Sequence, residues 1–323
     1  MQSKNKKKRI VVISAAVVLL LVVGGVIFWN IIADKRVKLF DEQVPRDPVT
    51  GIMKGAEPRT LGPENTDRAI LFVHGFIGSP NNFNDLPDQV AAAGWHVRVM
   101  LLPGHGTTPC EFEATTAAQL KQAVLDELAP LREKYKTLVL VGHSMGGALA
   151  TIAASEVKLE GLILAAPYYR ITSPWYLMLP AETLLNTFSP LVRWVYRTQD
   201  MLPVNRPEAK PEIVSYRWVP SAAGRMAMGL AAQARDPKVL EKITMPTLLL
   251  HSRIDTVTDP KESLLVFDQL PTREKRAVWL KTSDHIIFWD YERVRVAEEV
   301  GAFLEMVRRS DRSDVSDRSD GGE

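Results

Sequence analysis

A chain of 323 residues is long enough to bury one large α/β core, and its 46% hydrophobic and 24% charged residues are those of a folded globular protein. A formal net charge of +2 removes the bulk electrostatic case for a nucleic-acid partner. The single cysteine, Cys110, excludes an intrachain disulfide and a cysteine-based metal cluster, and no strand-turn-helix pattern surrounds it to make it a nucleophile.

At the N-terminus Lys4, Lys6, Lys7, Lys8 and Arg9 precede 23 residues, Ile10 to Ile32, that carry no charge. As a helix rising about 1.5 Å per residue this stretch spans about 34 Å, enough for the hydrocarbon core of a bilayer. A cleavable signal peptide has a shorter apolar core, about 7–15 residues, and a small-x-small exit. Here the exit is Phe28-Trp29-Asn30, aromatic and polar as at a membrane interface. We therefore read 1–9 as a basic cytoplasmic segment and 10–32 as an uncleaved single-pass anchor. On the far side Lys35, Arg36 and Lys38 are offset by Asp34, so the basic bias puts the N-terminus in the cytoplasm. The rest of the chain is then extracytoplasmic, in the periplasm if the cell is Gram-negative.

Residues 33–60 are rich in Pro, Gly and charge and read as a linker with a short leading strand or two. A folded domain is expected over 61–308. Arg68 to Val73 is an apolar strand ending in His74-Gly75-Phe76-Ile77-Gly78-Ser79-Pro80. A helix follows over Phe83 to Ala93 and a strand over Trp95 to Leu101, broken by Pro103-Gly104-His105-Gly106. Thr115 to Lys134 is helical, Leu138 to Val141 a strand, Ala148 to Ala154 a helix and Gly161 to Ala166 a strand. Strands alternating with helices predict a mostly parallel α/β sheet with right-handed crossovers, flanked by helices. The rhythm fails over 168–240, which is rich in proline and large apolar residues and shows no strand pattern. It reads as a helical cap inserted between two strands. Sheet rhythm returns with Pro246 to His251 and Arg276 to Leu280 as strands, Lys261 to Leu270 as a helix between them, and Tyr291 to Arg308 as a closing helix. The charged, low-complexity residues 309–323 have almost nothing to bury and are expected to be disordered.

Within that frame Val139 to Gly147 (Val-Leu-Val-Gly-His-Ser-Met-Gly-Gly) sets a serine at the apex of a strand-turn-helix. The G-x-S-x-G spacing has a steric cause. The serine occupies a strained backbone conformation, so its neighbours two before and two after, Gly142 and Gly146, must lack a Cβ for strand and helix to approach. The hydroxyl of Ser144 then lies at the N-terminus of the next helix, where developing negative charge meets free N–H groups. Serine is a poor nucleophile at neutral pH and needs a base, itself oriented by a carboxylate. Of the six histidines, His285 follows the last strand, where the topology carries a loop over the carboxyl edge of the sheet, and is the best base. His105 in the Pro-Gly turn reads as a backbone-bonding residue rather than a catalytic one. Chain order Ser, acid, His selects Asp255, just after the strand ending at Leu250. Asp259 is the next acid along that loop, and Asp284 is adjacent to the base and poorly placed to reach its far nitrogen. The oxyanion donors should be the backbone N–H groups of Met145 and Phe76. The cap aromatics suggest an acyl pocket with Trp175, Leu177 and Met178 at its lip. No cluster of ligating residues has metal spacing, so no metal and no cofactor are expected.

His-Gly-Phe at 74–76, Pro-Gly-His-Gly at 103–106, Gly-His-Ser-Met-Gly-Gly at 142–147, Asp255 and His285, in that order, resemble the α/β-hydrolase superfamily. Within it they are most similar to the bacterial carboxylesterase and monoacylglycerol lipase group, which carries a small cap between the sixth and seventh strands. Over about residues 61–308 the resemblance implies ester hydrolysis through an acyl-enzyme on Ser144, Asp255 and His285, with a small-molecule or lipid ester as substrate. The anchor and the charged tail are not part of that pattern. An aspartate in place of Ser144 would have implied dehalogenase or epoxide-hydrolase chemistry. An acyltransferase shares the same acyl-enzyme, and a silent membrane-tethered binding domain would keep the fold without the chemistry.

Overall fold

The computed structural model describes residues 2–173 and 181–319. A long helix, α1 (Gln2–Asp41), opens the chain. The first half of the sheet follows as β1 (Arg59–Leu61), β2 (Arg68–Val73), α2 (Leu86–Ala92), β3 (His96–Val99), α3 (Pro109–Ala114), α4 (Ala117–Lys134), β4 (Thr137–His143), α5 (Met145–Ala154) and β5 (Gly161–Ala165). An insertion contains α6 (Ala181–Phe188), β6 (Trp194–Tyr196), β7 (Trp218–Pro220), α7 (Ser221–Ala234) and α8 (Pro237–Leu240). The sheet resumes with β8 (Thr247–Ser252), α9 (Pro260–Asp268) and β9 (Lys275–Leu280), and α10 (Arg293–Ser319) closes the chain.

Seven strands form one sheet in the order β1-β3-β2-β4-β5-β8-β9. Only β1 runs antiparallel to its neighbour. The central strands carry continuous apolar runs, such as 69–73, 138–141 and 248–250, because both faces are covered. In β2, Ala69, Leu71 and Val73 pack towards α4 and α5, while Ile70 and Phe72 pack on the opposite side with Phe83, Val296 and Phe303. In β4, Leu138 and Leu140 alternate with Val139 and Val141 in the same way. With seven strands the insertion falls between the fifth and sixth in sequence, one earlier than in the group that the sequence resembles.

Three elements differ from the sequence expectation. The insertion is not purely helical: β6 and β7 pair as an antiparallel hairpin, with Trp194 opposite Pro220 and Tyr196 opposite Trp218. Three residues per strand are too few to show an alternation, and Pro220 needs no donor at the strand end. The closing helix runs on through Ser319, so 309–319 continues α10 where disorder was expected.

The third difference is at the N-terminus. Val12–Asp41 contains a stretch apolar enough to cross a membrane, and residues such as Leu20 and Leu21 are exposed. The helix does not end at Ile32, however, but runs on to Asp41 and docks on the cap. Ala33, Val37 and Phe40 pack with Trp194 and Trp218 in a small apolar cluster. Asp34 Oδ1 accepts the Trp194 indole N–H at 2.6 Å and pairs with the Arg193 guanidinium at 2.9 Å. Asn30 bridges the same loop, donating to the Leu191 carbonyl at 2.9 Å and accepting the Arg193 N–H at 3.0 Å. Residues 33–41, the first part of the stretch 33–60 that reads as a linker, therefore belong to a helix that docks through Ala33, Asp34, Val37 and Phe40.

Candidate active site

The turn between β4 and α5 puts Ser144 in the left-handed region, with φ 55° and ψ −121°. A non-glycine residue persists there only where its surroundings fix it. The Ser144 N–H donates to the Ala165 carbonyl at 3.0 Å, and its own carbonyl accepts from Gly147 at 2.8 Å and Tyr168 at 2.8 Å. The glycines do what the spacing requires. A Cβ on Gly142 would drive into the carbonyl of Gly146, and one on Gly146 into the carbonyl of Val73.

Ser144 Oγ lies 2.8 Å from His285 Nε2, and His285 Nδ1 lies 2.8 Å from Asp255 Oδ2. All three residues are buried. An ionised carboxylate can only accept, so Nδ1 carries the proton and Nε2 is left to accept from the serine hydroxyl. Burial alone would raise the Asp255 carboxyl, but the His285 imidazole, its hydrogen bond, His251 and the Thr258 N–H together hold it down at about 2. Its orientation is fixed from both oxygens. Oδ1 accepts the N–H groups of Val257 and Thr258, each at 2.8 Å, and Oδ2 also accepts the Thr258 hydroxyl at 3.0 Å.

The rival acids have other work. Asp259 caps α9 by accepting the Lys261 N–H at 2.9 Å. Asp284 accepts the N–H and hydroxyl of Thr256, and burial raises its carboxyl. His251 comes within 3.9 Å of Asp255, yet burial lowers its basicity and its Nδ1 faces the Ser252 carbonyl at 3.0 Å, so it stays a neutral neighbour. His105 bonds the Pro103 carbonyl at 3.0 Å as a turn residue, and burial drives it down to about 4.

The loop after β2 passes close to the serine: a Cβ on Gly75 would lie 2.9 Å from Ser144 Cβ. Neither the Phe76 nor the Met145 N–H donates to a protein acceptor among the described residues, so both remain available at the serine. Met145 begins α5, where the helix dipole adds to its donor strength.

Several further residues position this site: His143, inside the elbow motif, and Asp290 and Glu292, which carry no motif. His143 Nε2 donates to the His285 carbonyl at 3.1 Å, and burial, with His285 beside it, keeps His143 neutral down to about 3. Asp290 is fully buried. It accepts the N–H groups of Asp284 at 2.7 Å, Asn205 at 2.8 Å and Arg206 at 3.0 Å, tying the His285 loop to the cap. Glu292 Oε2 accepts the N–H groups of Lys281 and Thr282 at 2.8 Å. Carboxylates serving loop amides have no sequence spacing of their own, so no pattern could have named them.

Two cavities meet at Ser144. The larger, about 240 Å³, is walled by Tyr168, Ile171, Leu185, Val195, Val219 and Met228 among others. The smaller, about 90 Å³, holds His285, His143, Asn82, Ser215 and Arg197. Among the described residues the cap hairpin and α7 supply much of the wall of the larger cavity. Trp175, Leu177 and Met178 lie outside the described residues.

A family model described as serine aminopeptidase, S33, matches residues 64–292. The thermostable monoacylglycerol lipase of Bacillus sp. (strain H-257) is 28% identical over 76% of this chain and 93% of its own length. The carboxylesterase of Bacillus subtilis (strain 168) is 22% identical over 78% of this chain and 98% of its own. A solved structure from work on two metagenome-derived lipolytic enzymes, LipS and LipT, superposes with a TM-score of 0.69 at 26% identity, covering 80% of this chain and 99% of that one.

Proposed function

The chain belongs to the serine aminopeptidase S33 family of α/β-hydrolases and is a serine hydrolase of the carboxylesterase and lipase type; we propose that it cleaves short- to medium-chain acyl esters of the monoacylglycerol kind, with Ser144, His285 and Asp255 as its catalytic residues. The observation that carries this reading is the unbroken hydrogen-bonded line from Asp255 through His285 to a serine at the floor of an apolar cavity. His285 Nε2 takes the hydroxyl proton as Ser144 Oγ attacks the ester carbonyl. The oxyanion that forms is held by the Phe76 and Met145 N–H groups, and the proton passes from His285 to the departing alcohol. Water then repeats the sequence on the acyl-enzyme. His285 lines the smaller cavity and not the larger. The alcohol it protonates therefore belongs in the smaller cavity and the acyl chain in the larger.

Peptide substrates fit less well. An aminopeptidase must hold the substrate's ammonium, which calls for a carboxylate, and neither cavity is lined by Asp or Glu among the described residues. We further propose that α1 is a single-pass tether with the N-terminus in the cytoplasm and the hydrolase domain outside, in the periplasm if the cell is Gram-negative. Its docking on the cap keeps the cavities near the membrane surface, where a lipid ester is presented.

Hydrolysis of p-nitrophenyl esters from acetate to palmitate, with Ser144→Ala run beside the wild type, tests the esterase assignment. Activity that peaks at one chain length and vanishes in the variant supports it. A folded protein inert on every ester refutes it.

A further inference from the structure

Arg197 stands at the junction of the two cavities, lining both. It directly follows β6, between the two strands of the cap hairpin, and its N–H donates to the Arg217 carbonyl at 2.7 Å. Among the described residues its guanidinium makes one hydrogen bond, from Nη2 to the Met201 carbonyl at 3.0 Å. No carboxylate pairs with it among the described residues. The neighbouring charge is another cation, Arg217, and burial together with that cation lowers the Arg197 pKa. Arg193, Arg235 and Arg98, by contrast, pair with carboxylates: Arg193 with Glu113 and Asp34, Arg235 with Glu262, Arg98 with Glu127. Arg225, which lines the larger cavity alone of the two, donates to the Ser189 hydroxyl at 2.9 Å. A half-buried guanidinium beside a like charge is costly unless something anionic completes it. The small cavity is otherwise walled mostly by apolar residues, among them Ile77, Leu202 and Ile286, with Asn82 and Ser215 as further polar groups on its wall.

We propose that Arg197 determines specificity by binding an anionic group, phosphate or carboxylate, on the alcohol portion of the ester. The inference rests on the esterase reading above for the word alcohol, and on the geometry of the cavities for the anion. A guanidinium offers a planar fork of donors that matches either group, and the charge-assisted pairing is stronger in a desolvated pocket than in water. The apolar cavity takes the chain, the fork takes the charge, and the ester carbonyl between them is set over Ser144. A neutral monoacylglycerol fills the same space but leaves the guanidinium unpaired.

The test uses the full-length chain in neutral detergent. Three decanoyl esters are compared: of glycerol, of glycerol 3-phosphate and of glyceric acid. We expect kcat/KM for at least one of the two charged esters to exceed that for the neutral one by about ten- to hundredfold, mainly through KM. Which of the two is favoured separates phosphate from carboxylate. Arg197→Ala should lower the charged-to-neutral ratio by a similar factor, and Arg197→Lys, which keeps the charge but not the fork, should fall between. Binding of decyl phosphate, measured by calorimetry on the same proteins, supplies a readout that needs no turnover. If no ester is cleaved but decyl phosphate binds in an Arg197-dependent manner, the anion site stands and the esterase reading falls. If esters are cleaved with no preference for charge, or Arg197→Ala lowers all three in proportion, Arg197 is a structural prop and the proposal is overturned.

Discussion

Asp255→Asn is the most informative single change. In the folded protein Oδ1 is saturated by two backbone N–H groups and Oδ2 takes the Thr258 hydroxyl and His285 Nδ1–H. An asparagine can keep its carbonyl oxygen on the backbone donors, which places its NH2 where Oδ2 was. That amide can only donate towards His285, so Nδ1 must become the acceptor and the ring proton moves to Nε2. Nε2 is 2.8 Å from Ser144 Oγ and would then point a hydrogen at the nucleophile it should deprotonate. The side chain keeps its shape and the fold survives, but the base is in the wrong tautomer. The same change in a serine protease lowers kcat by about 10⁴, a barrier increase of roughly 5 kcal/mol. We expect a loss of that order in kcat on the best p-nitrophenyl ester, with a circular dichroism spectrum like the wild type. Asp259→Asn is the matched control, since asparagine caps a helix about as well as aspartate, and it should stay within a few-fold of wild type. An Asp255→Asn enzyme within tenfold of wild type, or an Asp259→Asn enzyme that loses more, would refute the assignment of the acid.

Gly224→Leu projects a side chain from α7 into the larger cavity, where nothing lies within 4 Å of a Cβ at that position. The decanoate-to-acetate ratio of kcat/KM should drop about tenfold or more, given the usual 1–3 kcal/mol cost of overfilling a packed site, and an unchanged ratio would remove the acyl chain from that cavity. Asp34→Ala leaves the buried Trp194 indole N–H without its acceptor and should cost about 1–3 kcal/mol. Thermal unfolding should report that loss and proteases should cut faster around residues 42–50, whereas an unchanged melting profile would mean α1 is not docked. His105 is held from its ordinary 6.5 down to about 4 by burial. The unfolded chain takes up its proton below pH 6.5 while the folded one resists, so stability from this group is full above 6.5 and is lost as the pH falls towards 4. Between pH 7.5 and 4.5 wild type should lose about 2–3 kcal/mol more than His105→Gln in urea titrations; equal losses would contradict the burial. Cys110 is the sole cysteine and is exposed. A membrane-impermeant maleimide should label it in intact spheroplasts if the domain is outside, and only after lysis if the topology is reversed.

The hydrogen-bonded line of Ser144, His285 and Asp255 was legible because each residue sits at a place where the chain must do something unusual. The elbow needs glycines on both sides, and the proposed acid and base follow strands whose apolar runs are easy to see. Buried central strands carry unbroken apolar runs rich in Leu, Val and Ile, so β2, β4, β5 and β8 appear in the sequence nearly at their true ends. The positioning residues were not legible. Asp290 and Glu292 act on backbone amides that only the folded loops bring near, and a carboxylate bonded to an amide looks like any surface acid in one dimension; Thr258, which donates its own N–H and hydroxyl to Asp255, looks like any loop threonine.

The same reasoning explains why the N-terminal helix was misread at its far end. Hydropathy registers the solvent a residue faces, and it changes sharply after Ile32, from bilayer-compatible to charged. Helicity does not depend on that change. Ala33, Val37 and Phe40 recur at the spacing of a single helical face, and that face meets two tryptophans, one on each strand of the cap hairpin. Asp34 lies in the first turn of the docking segment and closes on Arg193 and Trp194 in place of water. Continuing the helix is favoured because these contacts form only if its register is kept. The hairpin held in this way also presents Val195, Val219 and Pro220 to the larger cavity. On the proposed reading of α1 as a tether, a helix whose sole task was to keep the enzyme at the membrane could have ended in a flexible linker. One that grips the wall of the larger cavity would also fix how that cavity is turned towards the bilayer, and the docking that fixes it should be lost in Asp34→Ala.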